Sequence, residues 1–168
     1  MDMLSPEEHL RNYQKDMLGQ ILKAWTVHKN VMVQMPTGTG KTHLLSSLVN
    51  KELRTRNNKP CVWIVAHRRE LVEQIEKTTV RYGIPQKDER VKVMSIQWLS
   101  RHWNDMRDER PSLIVIDEAH HALAETYKEL WLHYPNAKKL GMTATPCRMN
   151  HKGFTDLFDT LITSDSIA

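Results

Sequence analysis

Cysteine is scarce: the 168 residues hold only Cys61 and Cys147, far apart and without the close spacing of a metal-ligand pair. That argues against a disulfide framework and a cysteine-based zinc site. The two read as reduced thiols of a cytoplasmic protein, with Cys61 a core residue. No signal-peptide pattern or long apolar segment is present, so export and membrane spanning are not expected. Internal repeats, low-complexity tracts and long linkers are absent as well. His120 and His121 have no second pair of metal ligands, which again argues against zinc. What remains is an ordinary soluble composition, 40% hydrophobic and 26% charged. It is long enough for one domain, residues 1–168, with a substantial core. A net charge of +4 suits a polyanionic partner without requiring one.

The chain is organised around Met35-Pro36-Thr37-Gly38-Thr39-Gly40-Lys41-Thr42. The apolar run Val31-Met32-Val33 precedes it. A helical pattern with Leu44, Leu45, Leu48, Val49 and Leu53 follows. Strand, glycine loop and helix form the setting in which Gly-Lys-Thr reads as a phosphate-binding loop. Gly38 and Gly40 allow a tight backbone whose N–H groups face an anion, and the helix N-terminus adds its positive dipole end. Lys41 would reach the β- and γ-phosphates and Thr42 would ligate Mg²⁺. The general pattern wants a further glycine where this chain has Met35.

Upstream, Ser5, Pro6 and Glu8 make a helix start, and Leu10, Tyr13, Met17, Ile21 and Trp25 follow at helical spacing. Downstream, Cys61 to Ala66 is a continuous apolar run, as in a buried parallel strand. It leads into His67-Arg68-Arg69-Glu70-Leu71 and a helix ending near Gly83-Ile84-Pro85. Arg68 and Arg69, at a strand end, suit a nucleic-acid backbone or simply a solvated helix start. Val91 to Met94 is a short strand. Ser95-Ile96-Gln97-Trp98 then opens a helix whose core stripe is Leu99, Trp103 and Met106. Ser95 and Gln97 can touch phosphate, although capping and solvation account for them equally. Trp98 and Trp103 read by default as core residues.

Leu113-Ile114-Val115-Ile116 is the most apolar run, and Asp117-Glu118-Ala119-His120 follows at once. Asp117 can hold Mg²⁺ through oxygen, and Glu118 can orient and deprotonate an attacking water. A helix through Tyr127 to Tyr134 is broken by Pro135. A strand over Ala137 to Met142 then ends at Thr143-Ala144-Thr145-Pro146, whose hydroxyls can bond across to the acidic motif. Phe154 to Phe158 reads as a last short helix, and the closing residues as loose.

Taken in order, these segments resemble the first RecA-like motor domain of a superfamily 2, DEAH-type helicase. Pro36 to Thr42 is similar to motif I, including its Pro-Thr-Gly-Thr-Gly-Lys-Thr form, and His67 to Leu71 to motif Ia. Asp117 to His120 resembles motif II and Thr143 to Pro146 motif III. Leu10-Arg11-Asn12-Tyr13-Gln14 resembles the adenine-reading segment. Ser95-Ile96-Gln97 lies where such proteins carry a further DNA-contacting segment. Ala66 to Leu71 with Gly141 to Arg148 looks most like the DNA-repair and restriction branch (RadD- and XPB-like proteins), and favours DNA over RNA. The resemblance implies an α/β P-loop NTPase fold, a three-layer α/β/α arrangement with a mainly parallel sheet, as the alternation of strands and helices also suggests. It implies ATP and Mg²⁺ bound and turned over by Lys41, Thr42, Asp117 and Glu118, with Pro36, Thr37, Gly38, Thr39 and Gly40 forming the cradle. Gln14, with Arg11 nearby, would recognise adenine. His120, Thr143 and Thr145 would couple the nucleotide to the DNA track, and Arg68 and Arg148 would contact DNA.

Family members carry a second RecA-like lobe with the arginine fingers, which the 168 residues do not contain. Its loss can cost roughly 10³- to 10⁵-fold in rate. The expectation is therefore a chain that binds nucleotide, hydrolyses it poorly and unwinds nothing alone. Two rival readings are a nucleotide-binding interaction module without productive turnover, and the motor lobe of a restriction or helicase–nuclease protein.

Overall fold

The computed structural model describes residues 12–35, 39–55, 61–66, 77, 91–106, 111–117, 124–143 and 158–163. Along the chain these form α1 (Asn12–Ala24), β1 (Asn30–Gln34), α2 (Thr39–Thr55), β2 (Val62–Ala66), β3 (Val91–Ser95) and α3 (Ile96–Arg101). They continue with β4 (Leu113–Asp117), α4 (Ala124–His133), β5 (Lys138–Thr143) and β6 (Thr160–Thr163). The strands make one sheet in the order β3-β2-β4-β5-β1-β6. Every pairing in it is parallel.

Parallel strands need crossovers, and the crossovers bury both faces of the sheet. Successive residues of a strand point to opposite faces, so each continuous apolar run feeds two cores. On one face Val31, Val33, Val62, Ile64, Leu113 and Val115 pack against Met17 and Ile21 of α1 and Leu44, Leu48 and Val49 of α2. On the other, Met32, Trp63, Val65, Ile114 and Ile116 meet Ile96 and Leu99 of α3 and Tyr127 and Leu130 of α4. The result is the expected α/β/α layering. Burying one such aliphatic side chain contributes about 1.5–3 kcal/mol. All five residues of β2 are buried, which holds this short strand in the centre.

Gly141 is fixed by packing. A Cβ there would stand 2.7 Å from Phe158 Cζ and 2.9 Å from Met32 Sδ. The bare backbone of β5 lets the Phe158 ring lie against the sheet, edge-on to Trp131 at 5.3 Å between centroids.

The structure departs from the sequence reading in three places. Thr160–Thr163 is a sixth strand, paired with β1 from Val31↔Thr160 to Gln34↔Thr163. Its two threonines hide a strand that β1 recruits. Of the short helix expected at Phe154 to Phe158, only Phe158 is among the described residues, and it is buried outside any helix. The helix opened by Ser95 is also shorter than its apolar stripe suggests. It closes at His102, whose N–H donates to the Leu99 carbonyl at 3.0 Å, so Trp103 and Met106 lie in the following turns. Met106 is buried nonetheless. The helix start at Ser5 to Glu8 lies outside the described residues. So does the helix beginning at Leu71, apart from Lys77.

Candidate nucleotide and nucleic-acid site

A parallel sheet collects the C-terminal ends of its strands on one edge, where ligands of open α/β folds bind. Here β4, β5 and β1 are neighbours in that order. Gln34, the last residue of β1, lies opposite Thr143 of β5, and Asp117, the last residue of β4, lies opposite Met142. The Met35 N–H donates to the Thr143 carbonyl at 2.9 Å, carrying the ladder one residue further, to the threshold of the glycine loop. Helix α2 then begins at Thr39, so Thr39, Gly40, Lys41 and Thr42 make its first turn. The backbone thus brings the phosphate-loop flank, the acidic motif and the start of the Thr-Ala-Thr-Pro segment to three adjacent strand ends. Two interstrand spacings, roughly 10 Å, separate the β1 and β4 ends.

Gln14 lies in the first turn of α1 and Thr143 is buried at its strand end. Arg11, Pro36, Thr37, Gly38, Arg68, Glu118, His120, Thr145 and Arg148 lie outside the described residues.

The other half of the same edge is formed by β2 and β3. Ala66, the last residue of β2, lies opposite Ser95 at the start of α3. Ser95 is the N-cap of α3: its Oγ accepts from the Trp98 N–H at 3.1 Å. That leaves its O–H as a donor. Gln97 is exposed on α3. Trp98 departs from the expectation of a core residue: it is 42% exposed. Its place on a one-and-a-half-turn helix, one residue before the buried Leu99, is what turns it outward.

Among the described residues no group of three or more His, Cys, Asp or Glu side chains is placed to hold a metal ion. No described helix is long and apolar enough to cross a membrane.

Residues 7–148 match the family described as type III restriction enzyme, res subunit. The chain belongs to that family. It is 32% identical over 136 residues to a 51.5 kDa protein of a Lactococcus phage (isolate 7-9), which covers 81% of this chain and 28% of the phage protein. It is 24% identical over 159 residues to the DNA 3′-5′ translocase XPB2 of Sulfurisphaera tokodaii, covering 89% and 34%. Among solved structures it resembles the UvsW helicase from bacteriophage T4, with a TM-score of 0.73 at 17% identity over 91% of this chain and 59% of that one. At that identity the likeness speaks for the fold. The chain spans between 26% and 34% of the length of these and similar curated relatives. The family match and the parallel sheet with flanking helices agree with a RecA-like fold, the fold of the helicase structures it resembles.

Proposed function

We propose that the edge formed by β4, β5 and β1 binds MgATP and hydrolyses it to drive a DEAH-type DNA helicase or translocase. The observation that supports this is the register Gln34↔Thr143 and Met142↔Asp117, with the phosphate-loop flank and Asp117 on strand ends either side of β5. Lys41 and the N–H groups opening α2 would hold the phosphates. One hydroxyl, Thr42, and one carboxylate, Asp117, fit Mg²⁺, which keeps several waters and takes few protein ligands. Magnesium, when bound, neutralises charge on the phosphates. Glu118 would orient and deprotonate the attacking water. Gln14, with Arg11, would read the adenine edge, since an amide both donates and accepts. His120, Thr143 and Thr145 would pass the nucleotide state to the DNA-contacting half, with Arg68, Ser95, Gln97 and Arg148.

DNA is favoured over RNA by the Thr-Ala-Thr-Pro form of the segment after β5 and by a relative named as a DNA translocase. The family match also suits a parent protein of the restriction type. A second RecA-like lobe, in the same parent chain or a partner, would complete the site. This is consistent with relatives several times longer than the region they share with this chain.

The deciding experiment is steady-state ATP turnover by this chain with no nucleic acid, single-stranded DNA, duplex DNA and RNA, with Lys41→Ala as the blank. Slow turnover above that blank in every tube is expected of a lobe that works with a partner. Turnover equal to the blank, with ATP still bound, would favour the interaction module. Robust unwinding by this chain alone would refute the need for a second lobe.

A further inference from the structure

Helix α3 follows edge strand β3 and carries the one aromatic residue among the large exposed apolar side chains of the described residues, Trp98. Its ring is held in place. His102, one helical turn on, stacks on it at 4.0 Å between centroids and 8° between planes. The imidazole is itself fixed by Nδ1 lying 2.6 Å from the Trp98 carbonyl oxygen. His102 covers one face of the indole, and the residue as a whole is 42% exposed. Beside it runs a groove of about 700 Å³ lined by Lys92, Met94, Gln97, Trp98, Arg101 and Met106, among others. Two of the described lining residues are cationic and none is a carboxylate. An exposed aromatic plane with Arg101 among its described neighbours has the make-up of a single-strand binding surface, where the backbone follows the cations and a base stacks on the ring.

We propose that the groove beside α3 takes a segment of single-stranded DNA, with one unpaired base stacked on the outer face of Trp98. This rests on the nucleic-acid part of the proposed function and adds to it a base contact at Trp98, next to the Ser95-Ile96-Gln97 segment. Arg101 supplies charge for a phosphate. His102 acts as a positioning residue, holding the indole in one orientation and so lowering the ordering cost of stacking.

The test is a titration of the full chain with fluorescein-labelled oligo-dT, oligo-rU and duplex DNA, comparing wild type with Trp98→Leu and Trp98→Phe. Trp98→Leu keeps apolar bulk without a π face and is expected to weaken oligo-dT binding roughly 5- to 150-fold. Trp98→Phe is expected to recover part of the loss. Thermal unfolding should stay at the wild-type midpoint in both, because the indole lies largely outside the core. Arg101→Ala is expected to flatten the salt dependence of oligo-dT binding by about one phosphate contact. Wild-type affinity in Trp98→Leu, with DNA still bound, would overturn the stacking while leaving the nucleic-acid reading intact. Trp98-dependent binding of oligo-rU but not oligo-dT would overturn the assignment to DNA. No binding of any nucleic acid by wild type would sink this proposal and the nucleic-acid reading together.

Discussion

At their C-terminal ends β1, β4 and β5 stop at Gln34, Asp117 and Thr143, and the segments that leave from there carry the phosphate loop and the acidic motif. At the opposite end the polar groups bind one another. Lys139 Nζ donates to the Tyr134 carbonyl at 2.6 Å and the Ala137 carbonyl at 3.1 Å, with the Trp131 ring 5.2 Å away. Both the backbone N–H and the Nδ2 of Asn30 donate to Asp159 Oδ2 at 3.2 Å. Lys138 Nζ meets Glu52 Oε2 at 2.8 Å. In the proposed reading one end of the sheet meets the nucleotide, while the other joins α2, α4 and β6 to the strand starts. If the nucleotide sits at that end, chemistry and anchoring are separated along the strands, and changes at the two ends should give different signatures.

The largest effect belongs to the ligand end. Glu118→Gln keeps shape and hydrogen bonding but removes the base, so it is expected to lower ATP turnover by about 10²- to 10⁴-fold. ATP affinity, by equilibrium titration, and the unfolding midpoint should both stay near wild type. A large fall in the midpoint would show that this end is structural too, and would break the contrast.

The sequence exposed the two ends unequally, for physical reasons. Phosphate chemistry demands particular residues at fixed spacing, so Gly38 to Thr42 and Asp117-Glu118 stand out before any fold is known. The apolar runs at Val31, Val62 and Leu113 likewise announce buried strands, because a parallel sheet has no solvated face. Anchoring makes no such demand. Lys138-Lys139 looks like a solvated pair until the pleat is known. The pleat turns Lys138 towards Glu52 and Trp25, and Lys139 towards Trp131 on the other face. Thr160–Thr163 and the outward turn of Trp98 depend on neighbours distant in sequence or on where a short helix stops.

The second effect tests the anchoring end through pH. Lys139 is 1% exposed. Burial, reinforced by the Lys29 charge and opposed by Asp159, pulls its pKa down from 10.5 to about 8. A lowered lysine pKa means that the folded state gives up its proton first. Below pH 8 both states hold the proton and the burial cost is paid in full. Between about 8 and 10.5 only the unfolded chain holds it, so stability rises with pH. The neutral amine still has two N–H donors for the two carbonyls. The gain is on the order of 3 kcal/mol at most. Urea unfolding from pH 7 to 10 should show that rise in wild type relative to Lys139→Met. Parallel pH profiles would mean that Lys139 titrates normally.

The smallest effect concerns the tie between the two ends, because Glu52 lies on the same helix that carries Lys41 in its first turn. Its carboxylate is buried, whereas the Lys138 side chain is 27% exposed, so removing the acid leaves the lysine access to water. Glu52→Ala should therefore cost about 1–2 kcal/mol, below the 3–5 kcal/mol typical of breaking a fully buried pair. A double-mutant cycle with Lys138→Ala would isolate the pair from the packing of Lys138 over Trp25 at 4.9 Å. Eleven residues of helix rise roughly 16 Å, which places Glu52 far from a nucleotide at the opening of α2. ATP affinity should accordingly not move in Glu52→Ala. If it does, α2 transmits its anchoring to the phosphate loop, and the two ends of the sheet work as one unit.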